Sequence, residues 1–246
     1  MRPAVILAAG FGSRLQGVSS ETTLKPLTPV AGRPLLYRTL DGLVDAGCKR
    51  IIVVIGFGAD ELRIAVETGY ERDVELVFVE NPHYKLSNGV SLLCARDHLD
   101  GDFVLTMADH VFDAEILEMA MAYKCAPDGA CLLVDSKIDS VFDLDDATKV
   151  WADGDTLVEI GKQLTRYNRV DTGCFVCSSA LLDEIAAVYE ETGDASLSNG
   201  VQALARTGKM KLLDIGEHRW QDVDTPEMFA EAEAWLLQQS VARGPD

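Results

Sequence analysis

The chain has 246 residues, 48% hydrophobic and 25% charged, a composition typical of a folded globular protein rather than a disordered one. It carries 22 basic and 40 acidic residues, a formal net charge of −18. Because binding to nucleic acid or to an anionic membrane surface needs a basic surface, this charge argues against both functions. No apolar run reaches about 18 residues, and the run at 4–9 is too short for a signal peptide. We expect a cytoplasmic protein without nucleic-acid binding or membrane insertion.

The first half of the sequence alternates short apolar runs with segments of helical spacing. The runs predict four buried strands, at residues 3–8, 50–55, 74–79 and 103–107. The other segments predict four helices, at residues 34–46, 60–68, 90–99 and 115–124. Because strands that alternate with helices form a parallel sheet covered on both faces, this half indicates an α/β fold.

The second half has a different rhythm, which begins after residue 129. Asp153-Gly154 is a strong turn signal between two strand-like runs, and it predicts a β-hairpin of residues 149–152 and 156–160. Further strands are predicted at 130–134, 169–176 and 211–215, the last of these being the final strand, and helices at 179–191, 198–206 and 226–238. No linker-like segment divides the halves, so we expect one domain over residues 1–246.

Six cysteines are present, and most lie in apolar segments. A chain of this length can bury a core without disulfides, so we predict buried, reduced thiols. Cys174 and Cys177 have the spacing of a redox or zinc pair, but no second pair of that spacing accompanies them.

A glycine-rich segment, LAAGFGSRL, follows the first predicted strand at residues 7–15, and Lys25-Pro26 comes ten residues later. A strand that leads into such a loop exposes backbone N–H groups to an anion. The dinucleotide fingerprint fails because Leu15 replaces its third glycine, and a Walker loop fails because no Gly-Lys-Ser/Thr follows. A purely structural turn would explain the glycines but not the cations Arg14 and Lys25. The segment therefore favours a phosphate-binding loop.

This motif, LAAGxGxRL with a following KP, resembles the signature of the sugar-phosphate and alcohol-phosphate nucleotidyltransferases. The resemblance extends over almost the whole chain, and within the family it is most similar to the CTP:inositol-1-phosphate cytidylyltransferases. Asp109-His110, ATKV at 147–150 and WQDVDTPE at 220–227 carry the narrower resemblance. It implies a Rossmann-like three-layer α/β nucleotidyltransferase fold with a mostly parallel central sheet and a smaller mixed β part. Residues 1–128 would be the nucleotide-binding half, and 129–246 the acceptor-binding half with the C-terminal helix.

The resemblance also implies an activity, the transfer of CMP from CTP to a phosphomonoester such as inositol 1-phosphate, with release of pyrophosphate. It assigns Arg14 to the leaving pyrophosphate and Lys25 to the triphosphate near the α-phosphate. The implied nucleotide-binding residues lie in the glycine-rich loop and a second loop: Leu7, Ala8, Ala9, Gly10, Gly12, Ser13, Ser87, Asn88 and Gly89. The product would pass to a separate membrane-bound alcohol phosphotransferase.

Two carboxylates are candidate metal ligands. Asp109 follows the fourth predicted strand, at the edge where open α/β sheets bind ligands, and Asp224 precedes the last predicted helix. The resemblance assigns both to Mg²⁺, which prefers oxygen ligands and retains several waters. Asp224 could instead cap the helix, Asp109 could be a turn residue, and Asp222 is the substitute ligand. For His110 we expect packing or hydrogen bonding beside the metal.

An anionic acceptor needs cations in this acidic chain, and the second half offers Lys149, Lys162, Arg166 and Arg169. Both lysines match positions of the narrower family and rank above the arginines. The resemblance adds Asp171, in the segment VDTG, to the acceptor-binding set.

Two alternatives remain open. The first keeps the reaction but uses a sugar 1-phosphate or phosphocholine as acceptor, or another nucleotide. The second is a regulatory subunit that binds nucleotide without catalysis. It is disfavoured because Arg14, Lys25, Asp109 and Asp224 are all present, and regulation has no chemical need for all four.

Overall fold

The computed structural model describes residues 2–12, 15 and 24–243. The strands are β1 (Ala4–Ala8), β2 (Pro29–Val30), β3 (Arg33–Pro34), β4 (Arg50–Ile55), β5 (Glu75–Glu80), β6 (Phe103–Met107), β7 (His110–Phe112), β8 (Ala130–Asp135), β9 (Lys149–Asp153), β10 (Thr156–Gly161), β11 (Arg169–Cys177), β12 (Met210–Asp214) and β13 (Trp220–Asp222). The helices are α1 (Leu35–Asp45), α2 (Ala59–Gly69), α3 (Asn88–Cys94), α4 (Ala114–Ala122), α5 (Ser179–Thr192), α6 (Leu197–Arg206) and α7 (Pro226–Arg243).

Nine strands form one sheet in the order β5-β4-β1-β6-β11-β8-β12-β10-β9. The four strands of the first half are parallel to one another. β11 is antiparallel to both β6 and β8, while β8 and β12 are parallel. The α/β fold with a parallel first half and a mixed second half is therefore confirmed, and the mixed part continues the same sheet.

Strand β11 changes partner along its length. Its first residues pair with β9, and its last three pair with β6. Between them the register shifts after Asp171, and Gly173 has a φ of +75°, a left-handed conformation that favours glycine. A Cβ at Gly173 would lie 2.6 Å from Nε2 of His110. This bulge therefore brings β11, from the second half of the chain, against His110 at the start of β7.

The core lies on both faces of the sheet. Along β1, Val5 and Leu7 belong to one buried cluster, while Ala4, Ile6 and Ala8 belong to the other, as the alternation of side chains along a strand requires. Because both faces are covered, the strand is apolar throughout. A third cluster, which includes Val223 and Trp235, packs beneath α7.

All six cysteines are free thiols, and four are buried. Cys174 belongs to one face of the sheet and Cys177 to the other, so this pair cannot hold a common metal ion.

The structure corrects several predicted boundaries. The strand predicted at 211–215 is not the last, because β13 follows it and pairs with β7. The helix predicted at 90–99 ends at Cys94, and a 3-10 turn at Arg96–His98 follows. Strands β2, β3, β7 and β13 have only two or three residues each, too few for a periodic pattern to reveal. No helix in the described part of the chain is long and apolar enough to cross a bilayer.

Candidate active site

Two adjoining clefts open at the carboxyl ends of β1 and β6, where open α/β sheets bind ligands. The cleft that is lined by more residues, which we call the main cleft, has a volume of about 340 Å³ and extends from the glycine-rich loop to β11. The second, which we call the Lys25 cleft, encloses about 360 Å³ beside the Lys25–Leu27 turn. Both clefts are lined by Leu7, Gly10, Asp109 and Asp224.

Lys25 joins the two candidate metal ligands. Its side chain is only 7% exposed, and Nζ donates to Asp109 Oδ2 at 2.6 Å and also to Asp224 Oδ1. Burial by itself lowers the pKa of Lys25, but the two carboxylates outweigh burial, and the net shift is upward. Burial raises the pKa of Asp109, yet Lys25 and His110 outweigh it and hold that pKa well below its usual range. The Lys25 side chain is therefore a charged ammonium at neutral pH, and it lies between Asp109 and Asp224.

The two short strands β7 and β13 bring Asp109 and Asp224 together. In their antiparallel pairing Asp222 lies opposite His110, and the backbone N–H of Val223 donates to the carbonyl oxygen of Asp109 at 2.9 Å. The start of α7 is capped by another residue, because Thr225 Oγ1 accepts from the N–H of Met228 at 3.3 Å. The Asp224 carboxylate therefore faces Lys25, and the helix has its own capping side chain.

His110 packs beside Asp109 as a buttress. Its Nδ1 lies 2.7 Å from Asp109 Oδ1, and its ring is stacked with Trp220 at 5.9 Å and with Phe112 at 5.8 Å between ring centroids. The Trp220 indole donates to Asp135 Oδ2 at 3.1 Å, which fixes the far side of the stack. Burial lowers the pKa of His110, but the bond to Asp109 outweighs it and raises the pKa overall. Packing and hydrogen bonding are the roles expected of this residue.

The two described glycines of the loop serve different purposes. Gly12 has a φ of +57°, and a Cβ there would lie 2.3 Å from Lys25 Cβ, so the fold requires glycine at this position. No atom of another described residue lies within 4 Å of a Cβ at Gly10, and Gly10 lines both clefts. Clearance of this kind among the described residues is what a ligand would need to approach the backbone closely. Arg14 and Ser13 lie outside the described residues.

The second predicted nucleotide loop, residues 87–89, is only partly turned toward the main cleft. Asn88 lines this cleft, whereas Ser87 and Gly89 contact the segment that begins α6. Sequence reasoning did not identify several lining residues, namely Tyr84, Leu86, Leu197, Ser198 and Trp220. Tyr84 and Leu86 lie in a connection without a periodic pattern, and no sequence signal places α6 beside this loop.

The structure separates the three predicted acceptor residues. Lys162 and Asp171 line the main cleft, with Lys162 paired to Asp146 at 2.9 Å. Lys149 is buried, and its Nζ donates to the carbonyl oxygens of Asp145, Ala147 and Lys162 at 3.1 to 3.2 Å. Lys149 therefore ties the loop before β9 to the end of β10 and does not itself line the cleft. Arg166 stacks on Trp151 with its guanidinium carbon 3.8 Å from the ring centroid, and Arg169 pairs with Asp214 at 3.3 Å.

The lining of the main cleft is acidic. Among the described residues, Lys162 is the one lysine or arginine that lines this cleft, against five aspartates: Asp109, Asp146, Asp171, Asp222 and Asp224. Burial raises the pKa of Asp171 to about 6, although the N–H of Gly173 donates to its Oδ1 at 2.8 Å and lowers it. Burial also raises the pKa of Asp222. These two carboxyls are suited to partners that donate hydrogen bonds.

Comparison with protein families matches residues 4–207 to the MobA-like NTP transferase domain. The chain is 32% identical over 240 residues to the bifunctional IPC transferase and DIPP synthase of Aquifex aeolicus, a match that covers 97% of this chain and 52% of that protein. It is 31% identical over 248 residues to the CMP-5'-(3-aminopropyl)phosphonate synthase of Streptomyces rubellomurinus, over 91% of this chain and 37% of that protein. The chain thus spans about half the length of the first relative and less of the second.

Among solved structures, the inositol-1-phosphate CTP transferase from T. maritima superposes with a TM-score of 0.80. The match covers 95% of this chain and 96% of that chain, with 27% sequence identity. The likeness includes both the parallel half and the mixed half of the sheet, and it confirms the fold expected from the sequence.

Proposed function

Because the chain belongs to the family of the MobA-like NTP transferase domain, we propose that it transfers CMP from CTP to a small phosphomonoester and releases pyrophosphate. The observation that carries the proposal is the placement of Lys25 between Asp109 and Asp224, beside Gly10, where no atom of another described residue lies within 4 Å of a Cβ. This cation and these carboxylates lie where the two clefts meet, so a triphosphate and an acceptor phosphate can be brought together there.

The chemistry of the acceptor removes the need for a general base. A phosphate monoester has a second pKa of about 6, so its oxygen is already an anion at neutral pH. This oxygen forms a bond to the α-phosphorus of CTP, while the bond from that phosphorus to the bridging oxygen breaks. The electron pair leaves with pyrophosphate, and no proton has to move. The protein therefore contributes position and positive charge.

Within this reaction Lys25 contacts the triphosphate near the α-phosphate, and Arg14 neutralises the pyrophosphate that leaves. Backbone groups from Leu7 to Gly10, with Asn88, bind the nucleoside. Asn88 lines the main cleft together with Leu7, Ala9 and Gly10, which supports this assignment. Ser87 and Gly89 act by holding Asn88 in place.

We propose Mg²⁺ as the metal, with Asp109 and Asp224 as its protein ligands. In the described part of the chain no group of three or more His, Cys, Asp or Glu side chains could hold a metal ion by itself. Two carboxylates nevertheless suit Mg²⁺, which completes its shell with water and substrate phosphates. The Lys25 ammonium between them supports a site that favours positive charge. When bound, Mg²⁺ neutralises phosphate charge and orients the reactants.

For the acceptor we propose a phosphorylated polyol, with inositol 1-phosphate first. The names of the relative from Aquifex aeolicus and of the structural neighbour from T. maritima motivate this choice. The acceptor end supports it, because Asp171 and Asp222 can accept hydrogen bonds from hydroxyl groups. Lys162 is the cation best placed for the acceptor phosphate. Lys149 keeps a positioning role, since its ammonium is engaged by three carbonyl oxygens.

A second acceptor class is favoured by one observation, the excess of carboxylates in the main cleft. An acceptor that carries a cationic nitrogen, the ammonium of an aminoalkyl phosphonate or the quaternary ammonium of phosphocholine, would place a positive charge beside Asp171 and Asp222. The relative from Streptomyces rubellomurinus is named for an aminopropyl phosphonate. Polyol and amine acceptors make different demands on these two aspartates, so they can be separated by assay.

The test is a pyrophosphate-release assay with four nucleoside triphosphates against inositol 1-phosphate, glucose 1-phosphate, phosphocholine and 3-aminopropylphosphonate. We expect the highest kcat/KM with CTP and inositol 1-phosphate, and loss of turnover when a chelator removes Mg²⁺. Preference for an amine acceptor would select the second class. Turnover with GTP or ATP equal to that with CTP would refute the nucleotide assignment, and binding of CTP without turnover on any acceptor would favour a regulatory subunit.

The product would be a CDP-linked alcohol, whose phosphoanhydride is activated for a second transfer. We propose that it forms in the cytoplasm and passes to a membrane-bound alcohol phosphotransferase. Addition of such an enzyme to the assay should consume the product and release CMP.

A further inference from the structure

Asp194, in the turn between α5 and α6, holds the segment at residues 87–89 by hydrogen bonds. We keep the name 87–89 loop for this segment, although its last two residues are the first two of α3. Its Oδ1 accepts from the backbone N–H of Ser87 at 2.8 Å, and its Oδ2 accepts from the Ser87 hydroxyl at 2.8 Å. The N–H of Ala195 also donates to Oδ1 at 2.8 Å. These bonds lower the pKa of Asp194, the two from Ser87 most, so a charged acceptor holds both polar groups of Ser87.

Two further contacts join the same pair of segments. Asn88 Oδ1 accepts from the N–H of Leu197 at 2.9 Å. Gly89 approaches the turn so closely that a Cβ there would lie 2.5 Å from the carbonyl oxygen of Ala195. Each of the three residues 87–89 therefore has a partner in the segment 194–197. The position of the loop is therefore fixed by contacts with a segment about 107 positions away in the sequence.

Two of the residues joined by these contacts belong to the lining of the main cleft. Asn88, on one segment, and Leu197, on the other, both line the cleft, while Asp194 does not. A side chain that does not reach the cleft can affect a ligand only through the loop that it holds. Loss of the carboxylate would leave the Ser87 N–H and hydroxyl without this acceptor and free Asn88 to sample other positions.

We propose that Asp194 is a positioning residue for the nucleotide, acting through Ser87 and Asn88, and this inference rests on the proposed function. The segment at 194–197 comes from the acceptor half of the chain, but it serves the nucleotide end of the cleft. Its loss should weaken nucleotide binding and leave acceptor binding and the chemical step nearly unchanged.

The experiment is calorimetric titration of CTP with Mg²⁺ into Asp194→Ala in the absence of acceptor, followed by steady-state kinetics. We expect the Kd and KM for CTP to rise about tenfold, as loss of a charged hydrogen bond predicts. The KM for inositol 1-phosphate and kcat should stay within about twofold, since one lost contact outside the reacting groups does not alter them. Asp194→Asn keeps one oxygen acceptor and should recover part of the affinity.

Asp183→Ala is the matched control. Asp183 is an exposed aspartate of α5 that pairs with Arg96 at 3.0 Å, so it also joins the second half to the region after α3 but does not touch residues 87–89. Its CTP affinity should equal that of the wild type. Thermal melts verify that each variant is folded, and if Asp194→Ala does not fold, the comparison is made on Asp194→Asn.

Unchanged CTP affinity in the folded variant, or an equal rise in the KM of the acceptor, would overturn the positioning role. The wild-type arm tests the proposed function separately. If the wild type binds a different nucleotide, CTP is the wrong substrate, and the Asp194 comparison is made with the nucleotide that binds. If it binds no nucleotide, both proposals fail at that arm.

Discussion

The end of the main cleft that we propose for the nucleotide is lined by β1 and the glycine-rich loop together with Asn88 and Leu197, whereas the end that we propose for the acceptor is lined by β11, β13 and the loops around them. Most of the proposed nucleotide end follows from one short segment of sequence, and the adjoining Lys25 supplies its positive charge. The acceptor end is acidic and is assembled by strand pairings between distant residues. Under the proposed function, this difference predicts that the first end binds phosphate through fixed geometry and that the second binds the acceptor through hydrogen bonds.

The largest expected effect is that of Lys25→Ala, which removes the cation on which the nucleotide end depends. Loss of a charge that acts on the transition state should lower kcat by about 10²-fold or more. Asp109 and Asp224 then face each other without the ammonium, so thermal stability should also fall in the absence of Mg²⁺ and recover in part when it is added. Pyrophosphate release and thermal melts measure both effects.

Lys209→Ala provides the control for Lys25→Ala. Its ammonium lies 4.0 Å from Asp128 on the surface, with nearly half of its side chain exposed. Turnover and stability should match those of the wild type. A folded Lys25→Ala protein with near-normal kcat/KM would contradict a role for Lys25 in the mechanism. Arg14 would then be the remaining proposed cation at the nucleotide end.

An intermediate effect is expected from a pair of glycine substitutions within the nucleotide end. At Gly10 a methyl group meets no atom of another described residue within 4 Å, so Gly10→Ala should keep the wild-type melting temperature but raise the KM for CTP roughly tenfold. At Gly12 a methyl group meets Lys25 Cβ at 2.3 Å, and the positive φ adds roughly 1–2 kcal/mol of strain. Gly12→Ala should therefore lose stability and turnover together.

Each member of the glycine pair is the control for the other, because the substitution is the same and the positions are two residues apart. Equal losses of stability would mean that the space in front of Gly10 is not a ligand space. An unchanged KM for CTP in Gly10→Ala would contradict the backbone-approach role directly.

The contrast between the ends also explains which parts of the molecule the sequence could predict. The strand β1, the glycine-rich loop and Lys25 lie within 22 positions of one another, and local patterns report local structure. The strand end at Asp109 follows from an apolar run in the same way. Asp224 could be assigned only by resemblance, because a three-residue strand carries no periodic signal and its partner β7 is equally short.

Lys149 and Asp194 are residues whose roles depend on tertiary contacts, which local sequence patterns do not reveal. A lysine in a strand of an acidic chain is a reasonable ligand for an anion, but carbonyl oxygens from two loops engage its ammonium, and those loops meet only in the folded chain. Asp194 lies in a turn between two helices, where aspartate is common for local reasons. Its bond to Ser87 is a tertiary contact with no trace in the spacing of the sequence.

The smallest expected effect concerns Asp171 at the acceptor end, and it is a dependence of stability on pH. Burial raises the pKa of this carboxyl to about 6 from 3.8, so the folded state holds its proton more tightly than the unfolded state does. Well below pH 3.8 both states are protonated and no difference arises. Between pH 3.8 and 6 the unfolded state ionises first, so the folded state loses stability progressively, and above pH 6 the loss reaches about 3 kcal/mol.

Asp171→Asn removes this charge and keeps an oxygen that can accept from the N–H of Gly173. Its melting temperature should exceed that of the wild type by roughly 6–12 °C at pH 8, and the difference should become small near pH 4. Asp153→Asn, at the exposed hairpin turn, should show no such dependence. Asp171→Asn should also raise the KM of the acceptor but not that of CTP, because only the acceptor end loses a hydrogen-bond acceptor. A melting difference that does not change with pH would mean that Asp171 is not a buried charge, and the acidic character assigned to the acceptor end would then rest on Asp222 and Asp146.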